Sequence, residues 1–279
     1  MLGSESPTLR PVPPPDDLAA ELLDLAVGLA GEAGALLLDG LATVRAEIST
    51  KSSSTDMVTE MDRASERLIV EGILAVRPDD GVLGEEGAER SGTSGVRWVI
   101  DPIDGTTNYL YRRPGFAVSI AAEIDGEVAA GVVLDPMGGQ TFAATRSGGA
   151  TCNGAAIAVN TTEDLARALI GTGFSYEADR RRRQADVLVA VLPLVRDIRR
   201  SGSAASDLCW VACGWLDGFY ERGLAPWDHR AGALIATEAG ARVGDLRGGH
   251  DLTRFTLAAS PALFEELGRL LSVADADHA

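Results

Sequence analysis

The 279-residue chain contains little of what several large classes of protein depend on. It has only three cysteines, Cys152, Cys209 and Cys213, which is too few for a disulfide framework. No apolar run reaches the roughly 18 residues that a membrane-spanning helix needs. None of its three histidines lies in a recognisable nucleophile motif, so Ser-His-Asp catalysis is not expected. These absences predict a cytoplasmic protein that does not bind membranes.

Positive charge is scarce as well. The formal net charge is −16, the opposite of the balance that nucleic-acid-binding proteins normally show. The basic run Arg180–Arg183 is expected to be a solvated helix start or loop. We therefore predict no nucleic-acid partner. An anionic substrate would need local positive charge, which metal ions can supply.

Apolar periodicity organises the first half of the chain. Residues 1–16, rich in proline, are predicted to be a disordered leader without a secretory signal. Helices are predicted from Asp17 to about Leu38 and from Thr59 to about Val76, the second opening with a variant capping box, Thr59 to Asp62. Strands are predicted at residues 81–84, 96–100, 116–124, 127–135, 140–145 and 155–159, with turns at Asp125-Gly126 and Asn153-Gly154. Residues 17–160 thus predict two helices on a largely antiparallel sheet.

The second half, residues 161–279, alternates strand and helix patterns. Strands are predicted at 169–174, 195–200, 217–221, 241–246 and 255–259. Helices are predicted at 180–192, 203–214 and 228–239, and after Ser260, with Pro261 in the first turn. Such alternation is typical of a layered α/β arrangement, so the fold class predicted for the chain is mixed α/β.

The most informative segment is Trp98–Asn108, with the sequence WVIDPIDGTTN. A buried strand there ends in Asp101 and Asp104, and carboxylates so close to a core are costly unless a cation neutralises them. Gly105 lets the backbone approach a ligand, and the amides that follow can open a helix that binds an anion. Oxygen ligands beside an anion site suggest Mg²⁺ and phosphate. The alternative is an ordinary strand, turn and helix cap.

Other acids lie where predicted elements begin or end. Glu85 follows a strand, Asp228 starts a helix and Asp62 falls in a first helical turn. Each has a purely structural alternative, because Asp228 is a good N-cap, Asp62 completes a capping box and Glu85 suits a surface. Residue patterns alone do not place these acids together in space.

The spacing of the whole set resembles the inositol monophosphatase family, in its bacterial, high-GC form. The resemblance runs from about residue 20 to 272. The segments that carry it are Lys51–Ser53 with Asp56 to Asp62, Gly84–Glu86, Trp98–Asn108, Arg200–Ala205, Tyr220-Glu221, Trp227-Asp228 and Glu238–Gly240. It implies a layered αβαβα sandwich of the inositol monophosphatase and fructose-1,6-bisphosphatase type. It also implies a homodimer that hydrolyses inositol monophosphate with two to three Mg²⁺ ions and is sensitive to lithium.

The resemblance also assigns roles to residues. Metal ligands would be Glu85, Asp101, the carbonyl of Ile103, Asp104 and Asp228. Phosphate would bind to Gly105 and Thr106, and Asp62 would orient Thr106. The substrate pocket would comprise Asp104, Gly105, Thr106, Gly202, Ser203, Ala204, Glu221 and Asp228. Glu85 and Thr106 would accept hydrogen bonds or protons from the attacking water.

Several alternatives remain open at the level of the sequence. Related phosphatases act on sugar phosphates such as fructose 1,6-bisphosphate, on histidinol phosphate or on nucleotide 3′-phosphates. A regulatory or protein-binding subunit that retains the fold belongs to a different class. The complete set of acids favours an enzyme acting on a small phosphate monoester, since four carboxylates in one cleft strongly favour bound divalent ions.

Overall fold

The computed structural model describes residues 15–47 and 54–279. The predicted leader, apart from its last residues, and the Lys51–Ser53 part of the family pattern lie outside the described residues. Among the helices that are described, none has the length and apolar character needed to cross a bilayer.

The described residues form seven α-helices. They are α1 Pro15–Glu47, α2 Ser54–Val76, α3 Thr106–Leu110, α4 Ala178–Val191, α5 Ala204–Ala212, α6 Pro226–Glu238 and α7 Pro261–Val273. Helix α2 begins at Ser54 and not at Thr59, so Asp62 lies in its third turn. The predicted capping box is therefore wrong. Ser54 and the residues after it are typical of helix starts, so the sequence already contained a signal for a helix that begins before Thr59.

The same residues form thirteen strands. They are β1 Gly81–Gly84, β2 Glu89–Arg90, β3 Val96–Asp104, β4 Ala117–Ile124, β5 Glu127–Asp135, β6 Gln140–Thr145, β7 Gly149–Cys152, β8 Ala155–Ala156, β9 Leu169–Thr172, β10 Asp197–Arg199, β11 Gly218–Arg222, β12 Arg242–Gly244 and β13 Phe255–Ala259. Asp125-Gly126 and Asn153-Gly154 have the positive φ angles that tight hairpins require. The strand predicted at 155–159 is reduced to two residues, and β2 and β7 were not predicted.

The strands build two mixed sheets. The first has the order β2-β1-β3-β4-β5-β6-β7-β8, with only the β1–β3 pair parallel. The second has the order β10-β9-β11-β13-β12, with β9 parallel to both of its neighbours. All strands of the first sheet fall within residues 17–160 and all strands of the second within 161–279. The predicted domain boundary itself stays a prediction.

Helices and sheets stack in five layers. Helices α1 and α2 cover one face of the first sheet, through a core that includes Leu22, Ile69 and Trp98. Helices α5 and α6 lie between the two sheets. Helices α4 and α7 cover the outer face of the second sheet, where Val187 and Leu267 are buried. The predicted mixed α/β fold and αβαβα sandwich are confirmed.

Candidate active site

Strand β3 brings Asp101 and Asp104 to one face of the first sheet. The strand continues past its predicted end at Ile100 because it pairs with β4 as far as Asp104. Asp101 lies opposite Ser119 and Asp104 opposite Ala117, so β3 uses three residues where β4 uses two. Residues three apart in a regular strand point to opposite faces of the sheet. The extra residue in this bulge changes that, so both carboxylates project from the same face.

The start of α6 brings in Asp228. The helix begins at Pro226 and not at Asp228, so the structural alternative in which Asp228 is the N-cap is wrong. Its Oδ2 instead accepts a hydrogen bond of 2.7 Å from the amide of Ala225, the true N-cap. The hydroxyl of Ser119, opposite Asp101, donates to the carbonyl of Trp227 at 3.2 Å and ties this helix start to β4. As a result, Asp101, Asp104 and Asp228 each offer an oxygen within 4.8 Å of the others.

Asp104 is oriented by α5 in the middle layer. Its Oδ2 accepts 2.7 Å hydrogen bonds from the Ser203 hydroxyl and the Ala205 amide at the start of that helix. The next residue, Gly105, has φ +94°, and a Cβ there would lie 2.8 Å from the carbonyl oxygen of Gly115. Glycine is therefore required at this turn, after which α3 begins at Thr106.

Glu85 is placed by a turn that a second glutamate holds. The amide of Glu85 donates to Ile100 on β3 at 3.2 Å. The carboxylate of Glu66, on α2, accepts hydrogen bonds from the amides of Glu86 and Ala88 at 2.9 and 3.1 Å. A Cβ at Gly84 would overlap the Glu66 carboxylate, so the glycine makes room for this contact.

The cluster is electrostatically unfavourable without a cation. Burial, followed by the charges of Glu85, Asp104 and Asp228, raises the pKa of Asp101 well above its usual range. Burial and then Asp228 raise the pKa of Asp104 to about 8, against the hydrogen bonds from α5. The pKa values of Glu85 and Asp228 are raised as well, chiefly by burial. A divalent cation would remove this cost, and hard carboxylate oxygens are the ligands that Mg²⁺ prefers.

The acids line a cleft of about 330 Å³. Its walls contain every site residue expected from the family resemblance except Asp62: Glu85, Asp101, Ile103, Asp104, Gly105, Thr106, Gly202, Ser203, Ala204, Glu221 and Asp228. Burial raises the pKa of Glu221 to about 7, although the positive charge of Arg200 counters this.

Asp62 is buried and does not line the cleft. Its pKa is raised to about 8, first by burial and then by the negative charges of Glu86 and Glu85. Its Oδ1 has no hydrogen-bond partner among the described residues. The Thr106 hydroxyl donates to the Ile103 carbonyl at 3.1 Å and not to Asp62. The expected role of Asp62 in orienting Thr106 therefore stays a prediction.

The cleft also contains residues that the sequence analysis did not identify. Tyr176, Arg200 and Asp207 line it on the side of the second sheet. Arg200 begins the segment Arg200–Ala205, which the family resemblance already connected with the substrate pocket through Gly202 to Ala204. Its position in that segment could therefore have identified it as a cleft residue. Asp207 is buried and held by a 2.6 Å hydrogen bond from Ser201. Tyr176 could not have been identified from the sequence, because a single aromatic residue in a loop belongs to no motif or periodic pattern.

The mixed α/β sandwich and its carboxylate-lined cleft can be compared with known proteins. The pattern of the inositol monophosphatase family matches residues 18–274, and the chain belongs to that family. A relative from Mycobacterium tuberculosis named inositol-1-monophosphatase SuhB is 42% identical, over 91% of this chain and 94% of its own length. A relative from Escherichia coli named Nus factor SuhB is 40% identical, over 88% of this chain and 94% of its own.

A solved structure agrees with this membership. The structure named Mycobacterium tuberculosis SuhB superimposes with a TM-score of 0.81 at 40% sequence identity, covering 92% of this chain and 97% of that one. Family and relatives together support a phosphatase, a hydrolase of phosphate esters.

Proposed function

We propose that the protein hydrolyses inositol monophosphate to inositol and phosphate, with Mg²⁺ as cofactor. The observation that carries the proposal is the convergence of Asp101, Asp104 and Asp228, whose oxygens lie within 4.8 Å of one another. Buried carboxylates this close are stable as anions only with a cation between them. The choice of inositol as the alcohol rests on the family of the chain and on the names of its relatives.

The donor set fits Mg²⁺ because it consists of oxygens that the protein already orients. One oxygen of Asp104 is engaged by α5 and one of Asp228 by the Ala225 amide. Oδ1 of Asp101 accepts a 3.0 Å hydrogen bond from the Ile103 amide. These contacts orient the carboxylates, and an ion bound among them would replace the side-chain contacts that Asp101 makes with Glu85 and Asp228. Glu85 and the carbonyl of Ile103 would complete the ligand set, as the family resemblance implies.

Other groups of the chain would bind the phosphate ester and accept the proton of the attacking water. When bound, Mg²⁺ would polarise the phosphoryl oxygens and stabilise the leaving alkoxide. The amides of Gly105 and Thr106 would donate to the phosphate. The Thr106 hydroxyl already donates to Ile103, so its oxygen can accept a hydrogen bond from the attacking water. The Glu85 carboxylate would accept the proton of that water.

The second-sheet side of the cleft would bind the alcohol. Glu221 lies on β11, and Gly202, Ser203 and Ala204 lie at the start of α5. The carboxylate and the backbone of this wall would accept and donate hydrogen bonds to the hydroxyl groups of the ring. A cytoplasmic location and a homodimer belong to the same proposal, and light scattering of the purified protein tests the dimer.

A turnover assay with and without Mg²⁺ tests the proposal. Purified protein is offered inositol 1-phosphate, fructose 1,6-bisphosphate, histidinol phosphate and a 3′-phosphoadenosine nucleotide. We expect inositol 1-phosphate to give the highest kcat/KM, and chelation to abolish turnover and lower the Tm. Undiminished turnover after chelation would refute the metal mechanism. A preference for histidinol phosphate would refute the inositol assignment, and no turnover of any ester would favour the regulatory alternative.

A further inference from the structure

One part of the cleft wall has no role in the function proposed above. It is the loop of residues 173–177 between β9 and α4, of which Gly173, Phe174 and Tyr176 line the cleft. Tyr176 is 78% exposed. Its phenolic oxygen lies 3.2 Å from the hydroxyl oxygen of Thr107, next to the proposed phosphate-binding residues. The tyrosine therefore bridges the cleft entrance from the alcohol side to the phosphate side.

Helix α4 fixes this loop through two side chains. Arg181 donates from Nε to the Ser175 carbonyl at 3.0 Å and from Nη2 to the Tyr176 carbonyl at 2.9 Å. The buried Gln184 accepts a 2.8 Å hydrogen bond from the Ser175 amide. The planar guanidinium suits two adjacent carbonyls, and this double contact fixes the backbone that carries the tyrosine ring. The ring is thus presented at the cleft entrance before any ligand binds.

Arg180, the arginine before Arg181, contacts the alcohol side of the cleft as well. Arg180 donates to the carbonyl of Arg222 at 2.9 Å, immediately after Glu221 on β11. It packs so closely on Gly223 that a Cβ there would overlap the guanidinium. The expectation that Arg180–Arg183 is merely solvated is therefore wrong for Arg180, which is partly buried, and incomplete for Arg181. The first turns of α4 support the alcohol side of the cleft.

We propose that Tyr176 contacts the alcohol part of the substrate and that Arg181 is the positioning residue that holds it there. The inference rests on the proposed phosphatase function and deepens it, because it assigns recognition of the cyclic polyol to Tyr176 and the positioning of that ring to Arg181. A tyrosine ring offers an apolar face to the C–H groups of such a ring and a hydroxyl to its oxygens. A short acyclic alcohol on the same phosphate offers no ring face to the tyrosine, so we expect it to gain little from this contact.

Four variants test this proposal: Tyr176→Ala, Arg181→Ala, the double variant, and Arg182→Ala as control. Arg182 is exposed, belongs to the same run and carries the same charge. The measurements are kcat and KM for inositol 1-phosphate and glycerol 2-phosphate, together with the inhibition constant of inorganic phosphate. Inorganic phosphate probes the metal end of the cleft alone.

We expect Tyr176→Ala and Arg181→Ala each to raise KM for inositol 1-phosphate by roughly tenfold, the loss of about one favourable contact. Values of kcat, KM for glycerol 2-phosphate and phosphate inhibition should stay within about twofold. The double variant should match Tyr176→Ala alone, because Arg181 acts through the tyrosine. Arg182→Ala should change nothing.

Each other result contradicts a defined part of the proposal. An unchanged KM in Tyr176→Ala refutes the contact, and additive effects in the double variant refute the positioning role. Equal losses on both esters and on phosphate would show general loosening of the cleft and overturn the inference. If Arg181→Ala does not fold, Arg181→Lys keeps the charge without the two-pronged contact and is expected to raise KM likewise. A wild type that turns over no ester overturns the proposed function as well, whereas normal turnover with unaltered KM values overturns this inference alone.

Discussion

Asp104→Asn is expected to stabilise the metal-free protein while it abolishes activity. The pKa of Asp104 is raised from 3.8 to about 8 in the folded protein. A raised folded pKa contributes stability below the unfolded pKa, and this contribution is lost as the pH rises through the folded value. Between pH 4 and pH 7.5 the metal-free protein therefore loses up to about 5 kcal/mol through this group. Asn does not ionise and avoids the loss.

The substitution keeps the local hydrogen bonds. The amide oxygen of Asn can accept from Ser203 and Ala205, as Oδ2 of Asp104 does. Burial is the largest cause of the raised pKa and the charge of Asp228 the next, and because the neighbouring carboxyls titrate together we expect only part of the maximum, on the order of 2–3 kcal/mol at pH 7.5. For a chain of this size that corresponds to a Tm about 5 °C higher in chelator. At pH 4 the two proteins should melt together.

Thermal melts with and without Mg²⁺ at the two pH values provide the test. Saturating Mg²⁺ should raise the Tm of the wild type by mass action and raise that of Asp104→Asn by less, because the variant has lost one ligand, while its turnover falls by orders of magnitude. Asp80→Asn is the control. Asp80 is also buried, but it is paired with Arg77 and accepts a 2.9 Å hydrogen bond from the indole N–H of Trp98, so neutralising it should destabilise the protein. A chelated Asp104→Asn protein that melts below the wild type at pH 7.5 would refute the reasoning.

Three further predictions follow from the cleft. Millimolar Li⁺ should inhibit at subsaturating Mg²⁺, because it is close to Mg²⁺ in size with half the charge; an unchanged rate contradicts this. Glu221→Gln should lower kcat/KM for inositol 1-phosphate by roughly tenfold or more and hardly affect glycerol 2-phosphate, since it weakens a charge-assisted hydrogen bond to the ring; equal losses would assign Glu221 to the metal site. Glu66→Gln should weaken Mg²⁺ binding, seen by calorimetry, because one of the amides of Glu86 and Ala88 loses its acceptor; unaltered affinity would show that the turn holds Glu85 without it.

Local patterns predicted the elements whose signals are strong. The strands Glu127–Asp135, Gln140–Thr145 and Phe255–Ala259 have the predicted bounds, and the helix after Ser260 begins at Pro261. The extension of β3 to Asp104 was not predictable from propensity, since proline and two acids disfavour a strand. Pairing with β4 and the bulge override that preference.

The residues of the site likewise fall into those that the sequence predicted and those that depend on tertiary contacts. The family resemblance named the acids of the cluster, while the residue patterns alone left Glu85, Asp228 and Asp62 with structural alternatives. The contacts of Asp104 with Ser203 and Ala205 link positions about a hundred residues apart, which no local pattern encodes. Likewise, the arginine run gave a charge signal, but the carbonyls that Arg181 binds became visible only once the loop was placed.

The middle helix layer has a consequence for the order of synthesis. The inner face of the first sheet, with Val133 and Phe142, is buried against α5 and α6. Along the chain, α5 begins 48 residues and α6 begins 70 residues after the last strand of that sheet, which ends at Ala156, so both helices leave the ribosome well after it. During that interval the nascent chain presents a bare apolar face flanked by Asp101 and Asp104, without the Asp228 that would help them retain an ion. We expect a chain stopped at residue 160 to need a chaperone to remain dispersed.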